Sequence, residues 1–164
     1  MSDVGSISKY HIIQDLEKTF ATEPQRRFRV LDVGVTGPFP MQFWQPLFKH
    51  PNFELDGIDI DGPSIEALKK KTLPPQVKRL EALSGYDLLK KFEPASFDIV
   101  VSTQVLEHMK HPERCLAAVA AVLKRLMDDL ALRTSLASAA REDARNYDWD
   151  AIAARMGNLF SRIT

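Results

Sequence analysis

In RVLDVGVTGPFP, residues 29–40, an apolar run of Val30, Leu31 and Val33 carries one acid, Asp32, then breaks into Gly34, Gly37, Pro38 and Pro40. FELDGIDI places a second acid, Asp59, at the end of another apolar run, and SFDIVVST ends on Ser102 and Thr103, followed by Gln104. An ionised carboxylate offers acceptors only, so it suits ammonium or hydroxyl donors. Asp32 beside Gly34 suits an ammonium group, and Asp59 suits the two vicinal hydroxyls of a ribose. Together they fit an amino acid joined to a nucleoside. Acids at strand ends also cap helices or solvate loops, and Gly34 and Gly37 equally suit a tight turn with positive φ.

Elements that could hold these groups follow from hydrophobic periodicity. KYHIIQDLEKTF, residues 9–20, spaces Tyr10, Ile13, Leu16, Glu17 and Phe20 as one helical face. Phe28–Val33 reads as a first strand, apolar throughout and so buried on both sides. MQFWQPLFKH suggests a helix interrupted by Pro46. FELDGIDI is a second strand, and DGPSIEALKKK a helix with Pro63 near its start. VKRLEAL, GYDLLKKF and SFDIVVST read as strand, short helix and strand, and Pro112 opens a helix over PERCLAAVAAVLKRLM. The resulting β-α-β-α-β-α-β-α order over residues 28–124 predicts an α/β fold with a parallel sheet covered on both faces. Ligands of such sheets bind beyond the carboxyl ends of the strands, where the strand order reverses.

Beyond Lys124 the texture becomes helical. Trp149, Ile152, Met156, Leu159, Phe160 and Ile163 form an apolar stripe, with Asp148 as its N-cap. The organisation expected is a ligand-binding domain over 1–124 and a helical tail over 125–164, packed on that domain or mediating association.

The chain's 164 residues suffice for one hydrophobic core. Lys plus Arg (22) equals Asp plus Glu (22), so no overall basic field points to nucleic acid. The one cysteine, Cys115, forms no intramolecular disulfide and fits a reducing compartment. Without a signal-peptide pattern, and with CLAAVAAVL far short of the roughly 20 residues of a membrane span, a cytoplasmic protein is expected.

Over residues 29–124 the sequence resembles the class I S-adenosylmethionine-dependent methyltransferases of the type 11 group. RVLDVG resembles the family's first motif, ELDGIDIDGPSIEALKK its second strand and helix, and SFDIVVSTQVLEHMKHPERCLAAVAAVLK its fourth strand and the helix after it. The resemblance implies a Rossmann-like sheet of about four strands that binds S-adenosyl-L-methionine and transfers its methyl group. By that resemblance Asp32, Gly34 and Gly37 approach the methionine part, Asp59 holds the ribose hydroxyls, and one residue after the third strand, Ser84 or else Asp87, lies near adenine. Ser102, Thr103 and Gln104 line the methyl-transfer side.

Two departures stand out. Family glycines fall two, four and six residues beyond the first acid, where this chain has Gly34, Thr36 and Pro38. The loop is therefore expected to be shorter or to turn differently, partly obstructing backbone approach to the cofactor. The family continues from VLK into a Pro-Gly-Gly turn and a fifth strand, whereas here RLMDDLALR follows, so the methyltransferase core reads as truncated. The tail resembles the C-terminal helices of group 1 (GT-B) glycosyltransferases, without the nucleotide-sugar domain that precedes them.

His108, in LEHM, is the candidate catalytic base, its neutral imidazole taking a proton from an acceptor hydroxyl. The same histidine also reads as one that bonds locally after the fourth strand. Gln104 stands where some quinone-pathway O-methyltransferases carry the first metal-binding glutamate, so no metal is expected. Cys115, with Leu116 and Val119, reads as the inner side of its helix. A nicotinamide dehydrogenase would want Gly-x-Gly-x-x-Gly directly after the first strand, which is absent. The reading reached is a methyltransferase with a small-molecule or sugar-containing acceptor, able to form a homo-oligomer. Its alternative is a non-catalytic cofactor-binding module, or a truncated fusion product associated with glycosyl transfer.

Overall fold

The computed structural model describes residues 4–36, 41–103, 105–123, 129–131, 134, 135 and 138. The chain divides into two compact units, Met1–Met127 and Asp128–Thr164. In the second, the described residues 130, 131, 134, 135 and 138 are helical, and Thr134 Oγ1 donates to the Leu130 carbonyl at 2.9 Å. Gly37, Gln104 and the apolar stripe Trp149–Ile163 lie outside the described residues.

In the first unit, β1 (Phe28–Val33), β2 (Phe53–Asp59), β3 (Val77–Ala82) and β4 (Ile99–Ser102) form one sheet in the order β3-β2-β1-β4. All three pairings are parallel. The strand order reverses between β1 and β4, so the carboxyl ends of these two strands flank the opening where such folds bind ligands. Val30, Leu31 and Val33 are buried on alternate faces, as their unbroken apolar run requires. Each such side chain contributes about 1.5–3 kcal/mol by leaving water.

One face of the sheet is covered by α1 (Val4–Thr22), the segment 41–48 and α2 (Gly62–Lys69). Leu16 and Phe20, one helical turn apart, bury the inner stripe of α1, and Phe20 stacks on Phe53 at 4.7 Å between centroids. Pro24, just beyond Thr22, cannot continue the helix. α2 opens on Asp61, which accepts from Ser64 N at 3.2 Å and Ser64 Oγ at 2.6 Å, and it buries Ile65 and Leu68.

The other face packs against Leu88, Phe92 and Phe97 and against α3 (Pro112–Val122). Inward-facing residues on α3 are Cys115, Ala118 and Val122, the i, i+3, i+7 stripe. Leu116 is exposed rather than inner, because 115 and 118 already define the buried side and 116 lies about 100° away from 115. Gly85 makes room for this helix: a Cβ there would meet Cys115 Sγ at 2.8 Å and Met109 Cε at 3.0 Å.

Three local expectations change. Residues 41–48 form turns and a single 3-10 turn, Gln45–Leu47, instead of a helix, since Pro46 lacks the N–H that an α-helix reaching back to Met41 would use. Gly85–Lys90 is likewise 3-10 rather than α. α3 stops at Val122, where Leu123 turns extended and bridges Phe97, with Phe97 N donating to the Val122 carbonyl at 2.9 Å.

Candidate functional site

Strand alternation decides which side chains share a face. On β1, Val30 and Asp32 face the α1 side, and on β2 Phe53, Leu55, Gly57 and Asp59 do so. Asp32 lies directly across from Gly57 in the pairing, and Asp59 follows two residues on, about 7 Å further along the strand. The two acids therefore stand on one face at the carboxyl ends of neighbouring strands. Ser102 pairs with Val33 and so belongs to the opposite face of the strand end. It is exposed, and Thr103 is half-buried beside it.

Asp32 is buried, and its Oδ2 accepts from the indole Nε1–H of Trp44 at 2.7 Å. Burial pushes its carboxyl up to about 6; the Trp44 hydrogen bond opposes this, and the negative charge of Asp59 adds to it. No cation among the described residues neutralises Asp32, which leaves a buried acid without a counter-ion. Trp44 was invisible as a partner from sequence. Its only signal was the general need of a buried indole N–H for an acceptor.

The loop after β1 turns back onto β2. Gly34 has φ +93°, a conformation L side chains resist, and a Cβ there would lie 2.2 Å from Val105 Cγ2. This reversal sends three successive N–H groups toward β2: Gly34 and Val35 donate to the Ile58 carbonyl at 2.8 and 3.1 Å, and Thr36 N donates to Asp59 Oδ2 at 3.1 Å. Gly57 assists, since its missing Cβ would touch Val35 and Leu80 at 2.9 Å. The Thr36 hydroxyl adds a second bond to Asp59 Oδ2 at 2.7 Å, and Asp61 N donates to Oδ1 at 3.0 Å. Thr36, the departure from the glycine pattern, is thus the loop's anchor on the second acid.

Ser84 caps the 3-10 helix Gly85–Lys90 by accepting from Tyr86 N at 3.3 Å, and it follows β3 by two residues. Asp87 pairs with Lys90 at 2.9 Å and is directed to that ion pair. His108 is exposed on the 3-10 turn Leu106–His108, and its own N–H is taken by the Val105 carbonyl at 3.0 Å.

A sulfonium amino acid joined to a nucleoside presents an ammonium and a ribose diol, all hydrogen-bond donors, and the acceptors of this site meet that demand in part. Asp32 and Asp59 supply acceptors on one face, and Asp59 retains one lone-pair site after its three internal bonds. The space that a Cβ on Gly34 would take is filled by Val105 Cγ2.

The sequence model of a methyltransferase domain matches residues 31–126, more than half of the chain. No curated protein matches it. Among solved structures, a putative S-adenosylmethionine-dependent methyltransferase from Listeria monocytogenes is 21% identical with a TM-score of 0.53, over 73% of this chain and 51% of that one. A putative sarcosine dimethylglycine methyltransferase from Galdieria sulphuraria is 18% identical (TM-score 0.54, 70% and 43%). The methyltransferase CalH in complex with SAH is 19% identical (TM-score 0.57, 68% and 32%). At these identities the likeness establishes the Rossmann-like fold. The chain spans about half the length, or less, of the solved structures it matches.

Proposed function

The chain belongs to the methyltransferase domain family, and from that premise we propose that it binds S-adenosyl-L-methionine and transfers its methyl group to a small-molecule or sugar-containing acceptor. The observation that carries the reading is the shared face of Asp32 and Asp59 at adjacent strand ends, close enough for the charge of one to alter the acidity of the other. Asp32, ionised above about pH 6, is the ammonium site. Asp59 is the ribose site, with Ser84 toward adenine, or else Asp87 once it leaves Lys90. Ser102 and Thr103, with Gln104 and Gly37 by family resemblance, complete the lining.

When bound, the sulfonium supplies a methyl group already activated for displacement. The chain's own contribution is to hold the two ends of that molecule and to exclude water, so that an acceptor meets the methyl in line. His108, exposed on the turn Leu106–His108, takes the proton from an acceptor hydroxyl. Calorimetric titration with S-adenosylmethionine and S-adenosylhomocysteine tests the reading. Binding by the parent that is lost in Asp59→Ala supports it, and no binding at millimolar ligand removes it.

A further inference from the structure

The bonding of Asp59 carries a consequence for affinity. A carboxylate has about four lone-pair sites, and a vicinal diol that donates both hydroxyl protons needs two of them. Three are already used inside the chain: two on Oδ2, by Thr36 N at 3.1 Å and Thr36 Oγ1 at 2.7 Å, and one on Oδ1, by Asp61 N at 3.0 Å. The two backbone donors are fixed by the loop's attachment to Ile58 and by the start of α2. The hydroxyl is the one donor that a side-chain change can remove without altering the backbone.

We infer that Thr36 is an internal competitor for Asp59, its buried hydroxyl occupying the acceptor position that the second ribose hydroxyl would take, so that the chain caps its own nucleoside site. This rests on the assignment of Asp59 to the ribose. Thr36 is buried, so its hydroxyl cannot readily turn to water when a ligand arrives, and the diol must displace a formed, charge-assisted hydrogen bond. A glycine or alanine in the same place leaves that lone pair free. Thr36 thereby sets how tightly the site discriminates a ribose from a sugar lacking the diol.

The test is titration of the full chain with S-adenosylhomocysteine, comparing the parent with Thr36→Ala, Thr36→Val, Thr36→Ser, Asp59→Ala and the double variant Thr36→Ala/Asp59→Ala. Thr36→Ala deletes the donor and empties its place beside Oδ2, whereas Thr36→Val deletes the donor but leaves a methyl in that place. Thr36→Ala is expected to bind about three- to tenfold more tightly than the parent, the worth of one net hydrogen bond, whereas Thr36→Val should bind no more tightly. Thr36→Ser, which retains the hydroxyl, should match the parent, and the gain should vanish in the Asp59→Ala background. A parent that binds while Thr36→Ala binds equally or more weakly overturns the inference and leaves the ribose assignment standing. A gain shared by Thr36→Ser, or persisting without Asp59, also overturns it. If neither parent nor variants bind, the functional reading fails and the inference falls with it.

Discussion

The indole N–H of Trp44 donates to Asp32 Oδ2 across 2.7 Å, twelve residues away in sequence and wholly inside the protein. This bond holds a buried carboxylate that has no counter-ion among the described residues. Trp44→Phe retains an aromatic ring against Phe43 and Phe53, at 5.0 and 5.9 Å in the parent, but deletes the donor. The acidity of Asp32 should weaken further, moving its midpoint above about 6. Stability at pH 8 should fall by about 1.5–3 kcal/mol, measured by urea unfolding. An unchanged value would mean that the bond contributes nothing to holding the ionised acid.

Asp32→Asn should stabilise the fold while abolishing binding. The folded carboxyl titrates at about 6, above its ordinary 3.8, so between these values the folded state holds more protons than the unfolded one. Stability contributed by the neutral form is therefore lost as pH rises from about 4 to about 6 and stays lost above. Asparagine keeps an oxygen for Trp44 and carries no charge, so stability should rise at pH 8 by about 1–3 kcal/mol. The slope between pH 4 and 6 should flatten. Destabilisation at pH 8 would contradict the assignment of a buried, unneutralised acid.

The same titration sets the ligand's pH profile. An ammonium prefers the ionised acid, so affinity for S-adenosylhomocysteine should decline roughly tenfold per pH unit below about pH 6 and level off above it. A profile flat from pH 5 to 8 in the parent would separate Asp32 from the ligand.

Much of this was legible in the sequence, and the reason is local. Val30, Leu31 and Val33 announce a doubly buried strand by their own composition, and Pro63 marks the start of α2. The strand ends holding Asp32 and Asp59 follow directly. What the sequence hid are long-range pairings: Trp44 with Asp32, and Thr36 with Asp59 over 23 residues. Thr36 registered only as a missing glycine, because nothing in its neighbourhood says that Gly34 turns the loop toward β2. Leu116 differs for the opposite reason: its apolar side chain suggests an inner residue, whereas its helical angle sends it to solvent.

Gly34→Ala tests that turn. It places a Cβ at φ +93° and 2.2 Å from Val105 Cγ2. Strain of about 1–2 kcal/mol from the left-handed backbone and about 1–3 kcal/mol from overpacking should both appear in chemical unfolding. Adding Val105→Ala should recover the packing part and leave the backbone part. Full recovery would show that the turn itself is unstrained.

His108→Ala should leave affinity for S-adenosylhomocysteine unchanged, since His108 is assigned to the acceptor and not to the nucleoside. With a hydroxyl acceptor, turnover should fall about 100-fold or more, the usual scale of general-base assistance. Unchanged turnover would remove His108 from the chemistry.

The most direct measurement is a crystal structure with S-adenosylhomocysteine bound. The expected result is one ligand spanning the carboxyl ends of β1 and β2, its ammonium within hydrogen-bond distance of Asp32 or joined to it through one water, and a ribose hydroxyl on Asp59. A ligand seated elsewhere, with Asp32 still buried against Trp44 and Asp59 bonded only to Thr36 and Asp61, would contradict it.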